Sequence, residues 1–201
     1  MRDPSLSLVI LLSADLLSAC ASTTMLSIHR APEFRSAAIR RVLVIGHFKN
    51  PSLRKDVEEE FVRQWSARGV QAVSSLDVLP SSAPLTKEVV APIAAAQDFD
   101  AVIVTRLLST TTVPAGEPAI APAEPSPPNH TQANHPALQI LLAPTVYTED
   151  HGLAVVETDL YSVAEDKRVW SATSETVVVG KVSKLLRPFV KLVLKRLYSN
   201  P

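Results

Sequence analysis

The chain has 201 residues, 46% of them hydrophobic, which is enough for one domain with a sizeable core. Lys and Arg number 20 and Asp and Glu also 20, so there is no global field to draw nucleic acid or anionic lipid onto a whole surface, and nucleic acid is excluded as an expected partner. The single cysteine, Cys20, rules out an internal disulfide framework and a thiolate zinc site, so stability must come from packing.

The first element is an apolar run, Leu6 to Leu12, too short to span a bilayer as a permanent helix but the right length for a signal-peptide core. Leu17-Ser18-Ala19-Cys20 follows it. This stretch resembles the lipobox of bacterial lipoproteins, in which the cysteine becomes the acylated first residue of the mature protein. The resemblance implies a signal peptide over 1–19, lipidation at Cys20 and a lipid bilayer as partner. Ala21, a residue other than Asp, implies by the same resemblance the outer membrane, with the domain in the periplasm. The competing reading is a buried N-terminal helix with Cys20 as a core thiol. Residues 20–40 lack periodicity and read as a lipidated tether, which as a flexible chain of about 20 residues would hold the domain roughly 25 Å from its anchor.

Residues 41–198 read as one α/β domain. Arg41 to Gly46 is an apolar run fitting a strand buried on both faces. Pro51 opens a helix through Arg68, with Val57, Phe61, Val62 and Trp65 at helical spacing and Gly69 past its end. A strand over Val70–Val73, a helix over Thr86–Ala96 strained by Pro92, and a strand over Ala101–Thr105 complete a βαβαβ alternation, which argues for a parallel sheet flanked by helices.

Between residues 114 and 136 seven prolines predict a disordered surface insertion that can neither pair in a sheet nor hold a helix. Three mainly antiparallel strands are expected after it, over 138–147, 153–163 and 167–179, with turns at 149–152 and 164–167. In the second hairpin Tyr161 is expected to face Trp170. Lys181 to Tyr198 closes the chain as a helix. The fold class expected is therefore a single α/β domain with a mixed sheet and a closing C-terminal helix.

The strand Val42–Ile45 with its following acidic helix, the strand Phe99–Val104, and Val156–Tyr161 leading to Arg168-Val169-Trp170-Ser171-Ala172 resemble uncharacterised bacterial envelope lipoproteins. Their layout is similar to the α/β domain of the translocation protein TolB N-terminal part, the curli-secretion lipoprotein and the lipoprotein activators of penicillin-binding proteins. The resemblance covers about residues 41–198 and implies action by contact with other envelope proteins, without catalysis.

Candidate chemistry is sparse. His130 and His135 have a ligand-like spacing, but their loop supplies neither cysteine nor a rigid frame, and no metal site is expected. His47 and Lys49 follow the first βα strand and Arg106 follows the third. These carboxyl ends line the crevice where open α/β sheets bind ligands, so an anion could meet the three there; the alternative is ordinary loop polarity. The glycine pattern of a nucleotide site is absent, and no cofactor is expected. Glu157 and Asp159 share one face of a strand, as a carboxylate pair for acid–base work would, but no His, Arg or aromatic residue is expected around them to tune it, and the face reads as solvent-facing. With no nucleophile or zinc motif, no enzyme is expected.

On the C-terminal helix Lys181, Lys184, Arg187, Lys191 and Lys195 gather on one side, opposite Val182, Leu185, Leu186, Phe189, Val193 and Leu197. Either the apolar side covers the sheet, or the cations rest on a surface. The expected function is that of a non-enzymatic, membrane-anchored lipoprotein serving as an accessory or assembly contact for an envelope protein complex. The alternative is an anionic-lipid or glycan surface binder acting through the cationic helix.

Overall fold

The computed structural model describes residues 23–80, 83–113 and 151–199. Cys20, the signal segment, the proline-rich insertion, the strand expected over 138–147, and His130 and His135 lie outside these residues.

The chain forms a single mixed α/β domain around one six-stranded sheet of order β1-β6-β5-β4-β2-β3. The strands are β1 (Thr23–Arg30), β2 (Arg41–His47), β3 (Gln71–Ser74), β4 (Ala101–Val113), β5 (His151–Ser162) and β6 (Lys167–Val178). The helices are α1 (Pro51–Ser66), α2 (Ser75–Val78), α3 (Lys87–Ala96) and α4 (Ser183–Tyr198). β2 runs parallel to β3 on one side and to β4 on the other, as the βαβαβ pattern predicts. Right-handed crossovers leading to opposite neighbours of β2 place α1 and α3 on opposite faces of the sheet. Alternate residues of β2 report this: Val42 and Val44 pack with Val57, Phe61 and Trp65 of α1, whereas Leu43 and Ile45 pack with Val90 and Ala94 of α3.

Local signals set the helix ends. Asn50 accepts hydrogen bonds from the Ser52 and Leu53 amides at 2.9 and 3.2 Å, and Pro51 occupies the first helical turn of α1. Gly69, with φ of 78°, supplies the left-handed turn that leads into β3.

The face carrying α1 also carries α4, whose Leu185, Leu186, Phe189, Val190, Val193, Leu194 and Leu197 are buried. Phe189 meets Phe61 edge to face at 6.4 Å, and the Trp65 indole donates to the Tyr198 hydroxyl at 3.0 Å. Lys181, Lys184, Arg187, Lys191 and Lys195 are all exposed. Val182, expected on the apolar side, is exposed because it caps the helix one turn short of the core.

Three expectations about the strands also require correction. Thr23–Arg30, read within the tether, is instead the edge strand β1, antiparallel to β6. Its register shifts between Met25 and Ser27, and that bulge breaks the period-two pattern by which a strand is recognised. Arg30 ends β1 by donating to the terminal carbonyls of α4, Leu197 at 2.5 Å and Ser199 at 3.1 Å, so β1 belongs to the body of the domain. Tyr161 does not face Trp170. A register shift beside Tyr161 leaves Leu160 opposite Trp170 and Tyr161 opposite Arg168. The strand face of Glu157 and Asp159 is not open to solvent either, because the arginines of β4 and β6 close over Asp159.

Candidate functional site

Of the three buried carboxylates among the described residues, Glu58, Glu60 and Asp159, the first and last organise polar contacts on opposite faces of the sheet. Glu58 of α1 is fully buried beneath the carboxyl ends of β2 and β3. It accepts from the Gly46 amide at 2.9 Å, the Ser74 and Ser75 hydroxyls at 2.5 and 2.7 Å, the Leu76 amide at 3.3 Å and the Arg54 guanidinium at 3.0 Å. Its lone pairs are committed within the fold, so it locks α1, β2 and α2 together and has nothing left for a ligand. At Gly46 an added Cβ would stand 3.2 Å from the Arg54 carbonyl, so the helix and strand approach here as only glycine allows without adjustment.

Asp159 lies under an open cleft of about 900 Å³ between α3 and the sheet. Ile45, Val102 and Val104 form its floor, and Val90, Ala91 and Ala94 its α3 wall. His47 and Arg106, expected at the crevice, are register partners on β2 and β4, and both line it. Lys49 does not: it sits exposed in the turn before α1, outside the lining.

Asp159 of β5 is 1% exposed and holds two guanidiniums, Arg106 at 3.3 Å and Arg168 at 3.2 Å. Arg106 also donates to Glu157 at 2.7 Å, and the Tyr161 hydroxyl stands 3.5 Å from Asp159. Arg168 and Tyr161 line the cleft beside Arg106. Sequence reasoning missed both, because their roles depend on the β5–β6 register, which the irregularity beside Tyr161 shifts by one residue. The available signal was the alternation Glu157, Asp159, Tyr161 on one strand face with an arginine just across the hairpin.

Burial raises the Asp159 carboxyl above the ordinary value, the Glu157 carboxylate adds to this, and Arg168 and Arg106 pull it back. The folded state therefore keeps this proton at pH values where the unfolded chain, with its carboxyl near about 3.9, has released it. The resulting stability is full below about pH 3.9 and is lost as pH rises through the raised folded value. Asp159→Asn removes this dependence. In urea titrations stepped upward from about pH 4, the wild type should lose stability relative to the Asn variant; a difference that is flat or grows in favour of the wild type would contradict the assignment.

Among the described residues no group of His, Cys, Asp and Glu could hold a metal ion, and no helix is long and apolar enough to cross a membrane.

No protein-family profile matches the chain, and no curated protein is significantly similar to it in sequence. Solved structures are similar in fold. The PelC dodecamer from Paraburkholderia phytofirmans matches with 14% identity over 90% of this chain and 100% of that one, at a TM-score of 0.50. Lipoprotein GNA1162 from Neisseria meningitidis matches with 12% identity over 79% of this chain and 97% of that one, at a TM-score of 0.45. At such identities the likeness to PelC shows the shared fold alone.

Proposed function

We propose that the chain is a non-enzymatic lipoprotein, anchored at the outer membrane through acylated Cys20 with its domain in the periplasm, and that it serves as an assembly contact for an envelope protein complex. The observation that carries this reading is the edge strand β1. Its eight residues form one outer edge of the sheet, and among the described residues no strand pairs with it there. Leu26 and Ile28 on this strand are 37% and 45% exposed. An edge that offers unpaired backbone and apolar side chains is a template for another protein's strand. β1 also starts three residues after Cys20, so the chain between them spans at most about 10 Å, far less than the flexible tether expected from sequence. The contact edge would then lie beside the membrane. A protein of this fold, PelC, forms a dodecamer, so the fold is compatible with extensive protein contacts.

The anchoring half of this reading is tested by Cys20→Ala. Metabolic labelling with a fatty-acid analogue should mark the wild type alone, and the variant should leave the membrane fraction. Equal sedimentation of both proteins with membranes, with no label on either, would sink it.

A further inference from the structure

The cleft between α3 and the sheet contains more recognition chemistry than a contact protein requires. Its lining has four cationic side chains, Lys87, Arg106, Lys167 and Arg168, against two acidic ones, Glu88 and Asp166. Lys87 is engaged by Asp166 at 2.7 Å, and Lys167 by Glu33 and Glu165 at the rim. The two arginines are held differently. Each takes its partner from beneath, from Asp159 or Glu157, while the Arg106 and Arg168 side chains remain 39% and 45% exposed. A guanidinium has five N–H donors, so most of those on Arg168, and part of those on Arg106, stay available. Their placement by a buried carboxylate means that little side-chain freedom is left to lose on binding. Planar forks fixed in this way suit the oxygens of a carboxylate or phosphate.

Ile45, Val102 and Val104 on the floor and Val90, Ala91 and Ala94 on the wall form an aliphatic trough beside the polar rim of His47, Thr86, Tyr161 and Ser162, and the cleft's volume falls in the range of small-molecule sites, roughly 300–1,000 Å³. Among the described residues no Asn or Gln lines it, and its cationic side chains outnumber its acidic ones. We infer that the cleft binds a small anionic amphiphile, with a carboxylate or phosphate head on Arg106 and Arg168 and an apolar body between α3 and the floor of β2 and β4. This site is independent of the β1 edge.

The test uses the full chain carrying Cys20→Ala, so that no acyl anchor competes, with octanoate, octyl phosphate and 1-octanol as probes in calorimetric titrations. Octanoate and octyl phosphate should each bind saturably at one site, and the neutral alcohol at least about tenfold more weakly, the scale of one lost charge-assisted contact. Arg168→Gln should bring the anions down to the level of the alcohol. Ala91→Trp, which fills the cleft from the α3 wall and leaves the arginines and Asp159 in place, should abolish binding of all three. This second variant keeps the test decisive if the first fails to fold. Absence of saturable binding by either anion would overturn the inference. So would affinities unchanged in Ala91→Trp, or binding lost only when Lys184, Lys191 and Lys195 are changed to Gln, which would put the anion on α4.

Discussion

Phe189→Asp should unfold the domain or come close to it. Phe189 is buried between α1 and the sheet, with Phe61 edge-on against its ring. Removing such a ring costs about 3–5 kcal/mol in lost transfer energy and cavity formation. A carboxylate left in its place must ionise without a partner or hold its proton, which adds several kcal/mol more. The sum rivals the entire stability of a typical domain, about 5–15 kcal/mol. Thermal unfolding followed by circular dichroism should show no cooperative transition, or one lowered by more than about 15 °C. The opposite side of α4 gives the contrast. Changing Lys184, Lys191 and Lys195 together to Gln should alter stability by less than about 1 kcal/mol, since exposed charges contribute little individually. A Phe189→Asp protein that melts like the wild type would mean that α4 does not cover the sheet.

Glu58→Ala should be almost as damaging, although the residue opens a run of three glutamates. The substitution strands the Gly46 amide and removes the acceptor of two buried serine hydroxyls, and it leaves the Arg54 guanidinium, which also donates to Ser75, without its carboxylate. Removing one member of a buried, hydrogen-bonded charge pair costs about 3–5 kcal/mol. Glu58→Gln keeps the side-chain volume and one acceptor oxygen, so its loss should be smaller. Urea denaturation of the three proteins should rank wild type above Gln above Ala, with unchanged slopes. An Ala variant within about 1 kcal/mol of the wild type would remove Glu58 from any structural role.

These two residues also show what could be read from the chain. Elements whose burial follows a simple period were legible: β2 as an apolar run, α1 from Val57, Phe61 and Trp65, and α4 from its opposed apolar and basic sides. Glu58 was hidden inside Glu58-Glu59-Glu60, which looks like a solvated face. Yet it stands three residues before Phe61 and seven before Trp65, a spacing that puts it on the buried side. β1 was illegible for another reason. Its bulge at Leu26 interrupts the alternation, and its pairing is with β6, more than a hundred residues away in the chain.

The candidate cleft was half legible. His47 ends β2 as expected, whereas Arg106, expected just past its strand, lies within β4 opposite His47, where the parallel pairing with β2 ends. Arg168 and the burial of Asp159 required the β5–β6 register, and a one-residue shift in register exchanges the faces of every following side chain. Lys49 was assigned to the same crevice because it is near in sequence, but the turn before α1 carries it outside the lining.

The claim of an assembly contact at β1 is tested most directly by placing a photo-crosslinking amino acid at Ile28 in intact cells, with Lys184 on the exposed side of α4 as the comparison position. The account predicts a discrete protein adduct from position 28 that is lost when Cys20→Ala releases the chain from the membrane, and no such adduct from position 184. Protein or lipid adducts arising from position 184 while position 28 yields none would contradict it and assign the working surface to the cationic helix.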